Sequence, residues 1–141
     1  MMDWTNPLIK LTDHFTVKEA LWLPTWGRLA TSADGLDEVT KANLVKLFHK
    51  MDQIRETLGK PINVHVSYRP AAYNAQIGGA QHSAHVLGLA CDFDAGEDCD
   101  ATRATLEPLL EQLGVRMERK PGSGWVHIDL MSPHPNRYFI P

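Results

Sequence analysis

The longest regular pattern in the chain runs from Asp37 to Leu58, where apolar residues recur at helical spacing. These residues are Leu44, Leu47, Phe48, Met51, Ile54 and Leu58. The run predicts an amphipathic helix that packs its apolar face into the core, and Gly59 directly after it is a typical helix end. Upstream, Thr16–Glu19 has the form of a capping box, which predicts a short helix ending before Pro24.

Three shorter stretches alternate apolar and polar residues, which is the pattern of strands with one buried face. They are "INVHVS" (Ile62–Ser67), "LACDFD" (Leu89–Asp94) and "WVHIDL" (Trp125–Leu130). In the first stretch, Ile62, Val64 and Val66 are predicted to face the core. We expect the last stretch to form a hairpin with "VRMER" (Val115–Arg119).

Two further helices are predicted between these strands. "YRPAAYNAQIGGA" (Tyr68–Ala80) has a proline suited to a helix start and closes in two glycines, so we expect a short helix within a loop. Asp100 is predicted to cap a helix that ends at Gly114. Pro108 lies inside that helix and is expected to separate its first turn, because proline cannot donate a backbone hydrogen bond. The apolar residues of this helix are Leu106, Leu109, Leu110 and Leu113.

The order of the elements, with helices first and strands later, favours an α+β fold. We expect a small antiparallel sheet packed against the N-terminal and central helices. A length of 141 residues, of which 43% are hydrophobic, suits one domain spanning residues 1–141. A monomer is expected.

The charge and the apolar pattern argue against several classes of partner. With 14 basic and 17 acidic residues the net charge is −3, so nucleic acid binding is not predicted. No apolar run approaches the roughly 18 residues of a membrane span, and the N-terminus lacks the pattern of a signal peptide. We therefore expect synthesis in the cytoplasm and no membrane insertion. Cys91 and Cys99 are too few for a disulfide framework, and alternation aims Cys91 into the core.

Candidate metal-binding side chains lie on the polar faces of two predicted strands. His127 and Asp129 share one face of "WVHIDL", and Asp92 lies on the corresponding face of "LACDFD". His85 precedes Asp92 by seven residues. If the strands are neighbours, two histidines and one carboxylate converge, which is a ligand set of catalytic zinc sites. Such a set leaves the ion a net positive charge and one position for water.

The residues around this set resemble the signature of zinc D-alanyl-D-alanine carboxypeptidases and phage peptidoglycan endopeptidases. The signature reads S-x-Y/F-R-x-x-x-x-N, then G-G-x-x-x-S-x-H-x-x-G-x-A-x-D, then W/F-V-H-x-D. Its anchors in this chain are Ser67, Tyr68, Arg69, Asn74, Gly78, Gly79, Ser83, His85, Gly88, Ala90, Asp92, Val126, His127 and Asp129. The resemblance extends over nearly the whole chain, because "LTDHFTVKEAL" is similar to the start of the small single-domain members.

The resemblance implies the fold shared by lysostaphin-type and D-alanyl-D-alanine metallopeptidases and the hedgehog signalling domain. It implies that Zn²⁺ is held by His85, Asp92 and His127 on an antiparallel sheet. Arg69 matches the family arginine that holds the substrate carbonyl or carboxylate. Further substrate-binding candidates are Asn74, Ser83 and Trp125. Ser83 could instead support the metal site, and Trp125 is expected to form a wall of the substrate groove.

The general base is where the chain departs from the family pattern. Family members often have an acidic residue three positions before the last ligand histidine, or a histidine two positions before it. Here these positions hold Gly124 and Trp125. The remaining candidates are Asp129 and Glu118, although a carboxylate placed like Asp129 could instead orient a metal ligand.

The resulting hypothesis is a zinc metallopeptidase that hydrolyses a peptide bond in peptidoglycan stem peptides or crosslinks. The bond could be D-Ala-D-Ala, L-Ala-D-Glu or a D,D-crosslink, and release by a phage, as for an endolysin, would bring the enzyme to the cell wall. Two alternatives stay open. One is an inactive zinc-containing module of a cell-wall-binding or phage structural protein. The other is a non-haem iron oxygenase, although those enzymes usually place the first histidine and the acid two residues apart.

Overall fold

The computed structural model describes residues 2–141, which form helices and strands in mixed order. The helices are α1 (Val17–Leu21), α2 (Glu38–Leu58), α3 (Ala71–Gln76), α4 (Cys99–Leu106) and α5 (Leu110–Leu113). The strands are β1 (Trp22–Leu23), β2 (Arg28–Leu29), β3 (Asn63–Val66), β4 (Ala90–Asp94), β5 (Arg116–Glu118), β6 (Val126–Asp129) and β7 (Tyr138–Phe139). Short 3₁₀ helices occur at Ser32–Asp34, Ala84–Leu87 and Glu107–Leu109.

The main sheet has five strands in the order β3-β4-β6-β5-β7. Its strand pairs are antiparallel except for β5 and β7, which run parallel. Strands β1 and β2 form a separate antiparallel hairpin. The predicted α+β class with a small antiparallel sheet is confirmed, and so is the predicted pairing of β5 with β6.

Helix α2 supplies much of the core, as its apolar spacing predicts. Leu44, Leu47, Phe48, Met51 and Ile54 are all fully buried, whereas Leu58 is partly buried at the helix end. The Asp37 side chain accepts a hydrogen bond from the Thr40 backbone N–H at 2.8 Å and so caps the first turn. At the opposite end, Gly59 adopts a φ of +68°, the left-handed conformation in which glycine ends helices.

The predicted helix around Pro108 is divided into α4, a 3₁₀ turn and α5. Pro108 lies in the 3₁₀ turn, consistent with its lack of a backbone N–H. The prediction that Asp100 caps this helix is wrong, since Asp98 is the cap and its side chain accepts from the Asp100 backbone N–H at 3.2 Å. The Asp100 carboxylate instead accepts from Arg103 Nη2 at 2.6 Å.

The predicted alternation of β3 is wrong at Val66. Val64 lies opposite Phe93 and packs against the core, but Val66 lies opposite Asp92 and lines an open groove. Between these pairs β3 has one more residue than β4, which is a β-bulge. Local alternation cannot reveal such a change of register. Among the helices of residues 2–141, none has the length and apolar character needed to cross a membrane.

Candidate metal centre

Three elements bring His85, Asp92 and His127 together. His85 lies in the 3₁₀ helix Ala84–Leu87, and Asp92 on β4 is the direct cross-strand partner of His127 on β6. Asp92 Oδ1 lies 3.1 Å from His85 Nε2 and 2.9 Å from His127 Nδ1. One potential ligand atom from each residue lies within 4.8 Å of the others. The sequence-predicted set therefore converges on one point of the sheet.

The turn before β4 places His85 over the sheet. Gly88 ends the 3₁₀ helix with a φ of +72°, and a Cβ at this position would lie 2.9 Å from Thr40 Cγ2. Glycine is therefore required both by the backbone conformation and by the close approach of α2. The His85 carbonyl accepts a hydrogen bond from the Arg69 backbone N–H at 3.0 Å, which joins this turn to the segment after β3.

The hydrogen bonds of the two imidazoles determine which nitrogens are free to bind a metal. His85 Nδ1 lies 2.7 Å from the Ser67 carbonyl, which can only accept, so Nδ1 carries a proton and Nε2 points its lone pair toward Asp92. His127 Nε2 donates to Asp129 Oδ2 at 2.8 Å, which leaves Nδ1 as the nitrogen facing Asp92. Each imidazole therefore directs the nitrogen that could bind a metal toward the Asp92 carboxylate. This arrangement fits a zinc ion.

Electrostatics in the metal-free centre favour a negative Asp92. Burial alone would raise the pKa of Asp92, but its close contacts with His127 and His85 outweigh burial and hold the pKa well below its ordinary value. Burial lowers the pKa of His85, which keeps its imidazole neutral near neutral pH. Burial opposes the charged form of His127 too, yet its bonds to Asp129 and Asp92 raise its pKa to about 9.

Asp129 lies behind His127, on the side away from Asp92. Its side chain is fully buried. Oδ1 accepts from Arg116 Nε at 2.8 Å and from the Met131 backbone N–H at 3.0 Å. Oδ2 accepts from Arg116 Nη2 at 2.9 Å and from His127 Nε2 at 2.8 Å. Of the two roles that the sequence left open, this geometry favours orientation of His127 over proton abstraction.

Glu118, the other candidate base, lies on the same face of the sheet as His127. Strand β5 pairs Arg116 with Asp129 and Met117 with Ile128, and this register places Glu118 beside His127. The Glu118 side chain is half-buried and makes no side-chain hydrogen bond within residues 2–141. Its carboxylate is therefore available to accept a proton.

An open groove with a volume of about 440 Å³ borders the metal centre. Its lining residues are Pro24, His65, Val66, Arg69, Tyr73, Ile77, Asp92 and Trp125. Arg69 and Trp125 were predicted from the sequence to contact substrate, and Trp125 is 40% exposed. Pro24, Tyr73 and Ile77 were not predicted. Tyr73 Oη accepts from the Thr25 backbone N–H at 3.1 Å, which fastens the β1–β2 hairpin to α3 along one wall.

Arg69 lines this groove and has one hydrogen-bond donor without a partner. Its Nε is buried and has no hydrogen-bond partner, alone among the buried side-chain nitrogens and oxygens of residues 2–141. Buried donors are nearly always paired, and a guanidinium that lines a groove is suited to bind an anionic or carbonyl oxygen of a ligand. Burial lowers the pKa of Arg69, but a guanidinium stays protonated at physiological pH.

Asn74 and Ser83, both predicted to bind substrate, contact other parts of the site. Asn74 Oδ1 accepts from Arg69 Nη1 at 3.2 Å, while Asn74 Nδ2 donates to the Ala80 carbonyl at 2.8 Å. Ser83 Oγ accepts from the His85 backbone N–H at 3.2 Å and caps the 3₁₀ helix. In this geometry Asn74 supports Arg69 and Ser83 supports His85, and direct substrate contact by either residue stays a prediction.

His65 is the polar groove residue that sequence reasoning missed. It lies on β3 at the bulge, and Nε2 contacts Asp94 Oδ2. Asp94 also accepts from Asn63 Nδ2 at 3.0 Å and from the Gly96 backbone N–H at 2.9 Å. The polar alternation of "INVHVS" was the available signal, but an isolated exposed histidine is usually only solvated.

Together, the sheet, the His–Asp–His set and the adjoining groove define a domain with a candidate metal-binding site. A family model described as Peptidase M15 matches residues 14–129, and the chain therefore belongs to the peptidase M15 family. The chain is also similar to the zinc D-Ala-D-Ala carboxypeptidase of Streptomyces albus G, with 37% identity over 57 residues. That match covers 40% of the chain and spans 22% of the length of the carboxypeptidase.

Proposed function

We propose that the protein is a zinc peptidase that hydrolyses a peptide bond in the stem peptides or crosslinks of bacterial peptidoglycan. The observation that carries the proposal is the convergence of His85, Asp92 and His127 beside a groove that Arg69 lines. The substrate class is supported by similarity to a protein named as a D-Ala-D-Ala carboxypeptidase.

A zinc ion held by His85, Asp92 and His127 would supply a Lewis acid that polarises a carbonyl and acidifies water. Asp129 keeps His127 in the tautomer that points Nδ1 at the centre. The Arg69 guanidinium donates a hydrogen bond to the substrate carbonyl or to a terminal carboxylate, where it stabilises negative charge. Glu118 accepts the proton of the attacking water, because it lies on the same face of the sheet as His127 and its carboxylate makes no other hydrogen bond within residues 2–141.

The groove suits either a carboxypeptidase or an endopeptidase. A terminal carboxylate would match the Arg69 guanidinium, as in a D-Ala-D-Ala substrate. An open groove would also admit a peptide that continues past the scissile bond, as in an L-Ala-D-Glu bond or a D,D-crosslink. A role in phage lysis, with release to the wall by the phage, stays a prediction.

Mass spectrometry of muropeptides tests the proposal directly. The zinc-loaded protein is incubated with purified peptidoglycan, and the expected result is a new pair of fragments whose masses identify the cleaved bond. An Asp92→Asn variant should release no fragments, because the centre loses its only negative ligand. Intact muropeptides after incubation with a zinc-loaded, folded wild type would contradict the proposal.

A second candidate function is a zinc-containing module that binds the wall without cleaving it. It is favoured by the bonding of Asp129 to Arg116 and His127 and by the glycine at position 124, where family members often have an acid. Stoichiometric zinc and sedimentation with peptidoglycan, in the absence of cleavage, would support this candidate. Metal analysis that finds iron in place of zinc would instead favour the oxygenase alternative.

A further inference from the structure

His65 lies on the face of β3 that lines the groove beside the metal centre. Val64 lies opposite Phe93 and Val66 lies opposite Asp92, so His65 is the extra residue of β3 at this point. A bulge re-aims side chains and often lies next to an active site. His65 and Val66 consequently both line the groove, although they are consecutive residues of one strand.

A carboxylate holds the His65 ring in a defined orientation. Asp94 Oδ2 contacts His65 Nε2, while Asp94 Oδ1 accepts from Asn63 Nδ2 at 3.0 Å and from the Gly96 backbone N–H at 2.9 Å. Asp94 is thereby fixed from two further sides. Because Nε2 donates to this carboxylate, Nδ1 is the nitrogen left for a ligand, and the His65 side chain is 39% exposed. A histidine oriented by a carboxylate is an arrangement used for proton transfer.

We propose that His65 is a catalytic residue that donates a proton to the leaving amine. The inference rests on the proposed peptidase function and adds a role that the reaction requires, because an amine does not leave from an amide without protonation. The charged groups that line the groove with His65 are Arg69 and Asp92, and Asp94 is its carboxylate partner. A carbonyl placed between Arg69 and Asp92 would lie in the same groove as His65.

The proposed step balances without any additional reactant. The water oxygen forms a bond to the carbonyl carbon, and one water proton passes to Glu118. The C–N bond then breaks, its electron pair stays on nitrogen, and that nitrogen takes a proton from imidazolium His65. The products are a carboxylic acid and an amine. Glu118 then releases its proton to solvent and His65 takes one up, which restores both groups.

The test compares zinc-loaded wild type with His65→Gln and with a matched control, His49→Gln, which changes an exposed histidine on α2. The substrate is the soluble muropeptide mixture, and zinc content and circular dichroism are measured for each protein. His65→Gln should lower kcat by about 10²–10⁴-fold with KM nearly unchanged and zinc retained. Added imidazole should partly restore kcat. His49→Gln should match wild type, and His65→Asn replaces the first variant if that variant does not fold.

Two results would overturn the inference while leaving the peptidase function intact. One is a His65→Gln variant with wild-type kcat and KM, and the other is a raised KM with unchanged kcat, which would make His65 a substrate contact only. If zinc-loaded wild type itself releases no fragments, the peptidase function fails and the role of His65 fails with it.

Discussion

His127 and Asp129 lie two residues apart on β6 and are joined by a 2.8 Å hydrogen bond from His127 Nε2 to Asp129 Oδ2. Asp129 is in turn held by Arg116, whose guanidinium carbon lies 4.0 Å from the centre of the Phe139 ring. The C-terminal strand β7 therefore supports the metal centre through Phe139, Arg116 and Asp129. A carboxylate behind a ligand histidine fixes the tautomer and raises the basicity of the ligand.

From this bond we expect Asp129→Asn to weaken zinc binding by about 10–100-fold, because an amide holds the imidazole less firmly and carries no charge. At saturating zinc, most of the activity should return. Competition with a chromophoric chelator measures the affinity, and Asp13→Asn, which changes an exposed aspartate, is the control. Unchanged zinc affinity together with a lost kcat would instead identify Asp129 as the base.

Glu118→Gln should have the opposite effect to Asp129→Asn, with activity lost and zinc affinity kept. The substitution removes the proton acceptor but no bond to a metal ligand, so zinc affinity should stay at the wild-type value while kcat falls by about 10²–10⁴-fold. Steady-state kinetics on muropeptides measure the effect, with Glu111→Gln on the exposed side of α5 as the control. Wild-type kcat in Glu118→Gln would exclude Glu118 as the base.

These two variants address the part of the site that the sequence could not predict. Helix α2 and the alternation of β4 and β6 follow from local periodicity, and the spacing around His85 and Asp92 follows a long motif. Alternation placed Asp92 and His127 on the polar faces of their strands, and the family resemblance added the expectation that they meet with His85. The role of Asp129 depends on Arg116, which pairs with it only through the register of β5 and β6. That register is fixed by the turn between the two strands, whose geometry the alternation of either strand alone does not give.

The contact between His65 and Asp94 was beyond sequence reasoning for a related reason. Simple alternation placed Val66 in the core and gave His65 no partner. The bulge changes which residues of β3 face the groove, and the contact with Asp94 spans 29 residues of sequence. Both features depend on how β3 pairs with β4, which is a property of the assembled sheet.

Gly79→Ala should displace Arg69, the residue proposed to bind substrate, without changing the metal ligands. A Cβ at residue 79 would lie 2.0 Å from Asn74 Oδ1 and 3.0 Å from Arg69 Nη1, so Asn74 must move and Arg69 loses its support. We expect kcat/KM to fall by about tenfold or more, since removing one donor to a developing oxyanion costs up to about 10²–10³-fold. Gly124→Ala is the matched control, because nothing lies within 4 Å of a Cβ there. Equal activity of the two variants would argue against a role for Arg69.

Zinc binding should release about one proton near pH 7. Burial opposes a charged His127, but Asp129 and Asp92 raise its pKa to about 9, so the metal-free imidazole carries a proton that zinc must displace. Burial lowers the pKa of His85, and the pKa of Asp92 lies well below its ordinary value, so neither adds a proton at this pH.

The apparent zinc affinity should therefore rise about tenfold per pH unit from about pH 7 toward pH 9 and level off above it. The same proton has the opposite effect on the metal-free protein. Since the folded pKa exceeds the unfolded value near 6.5, the stabilisation from His127 is complete below about pH 6.5 and is lost as pH rises through 9. Isothermal titration calorimetry in two buffers of different ionisation enthalpy counts the released protons, and chemical denaturation of the metal-free protein measures the stability. A proton count of zero near pH 7, or a zinc affinity independent of pH, would contradict a protonated His127.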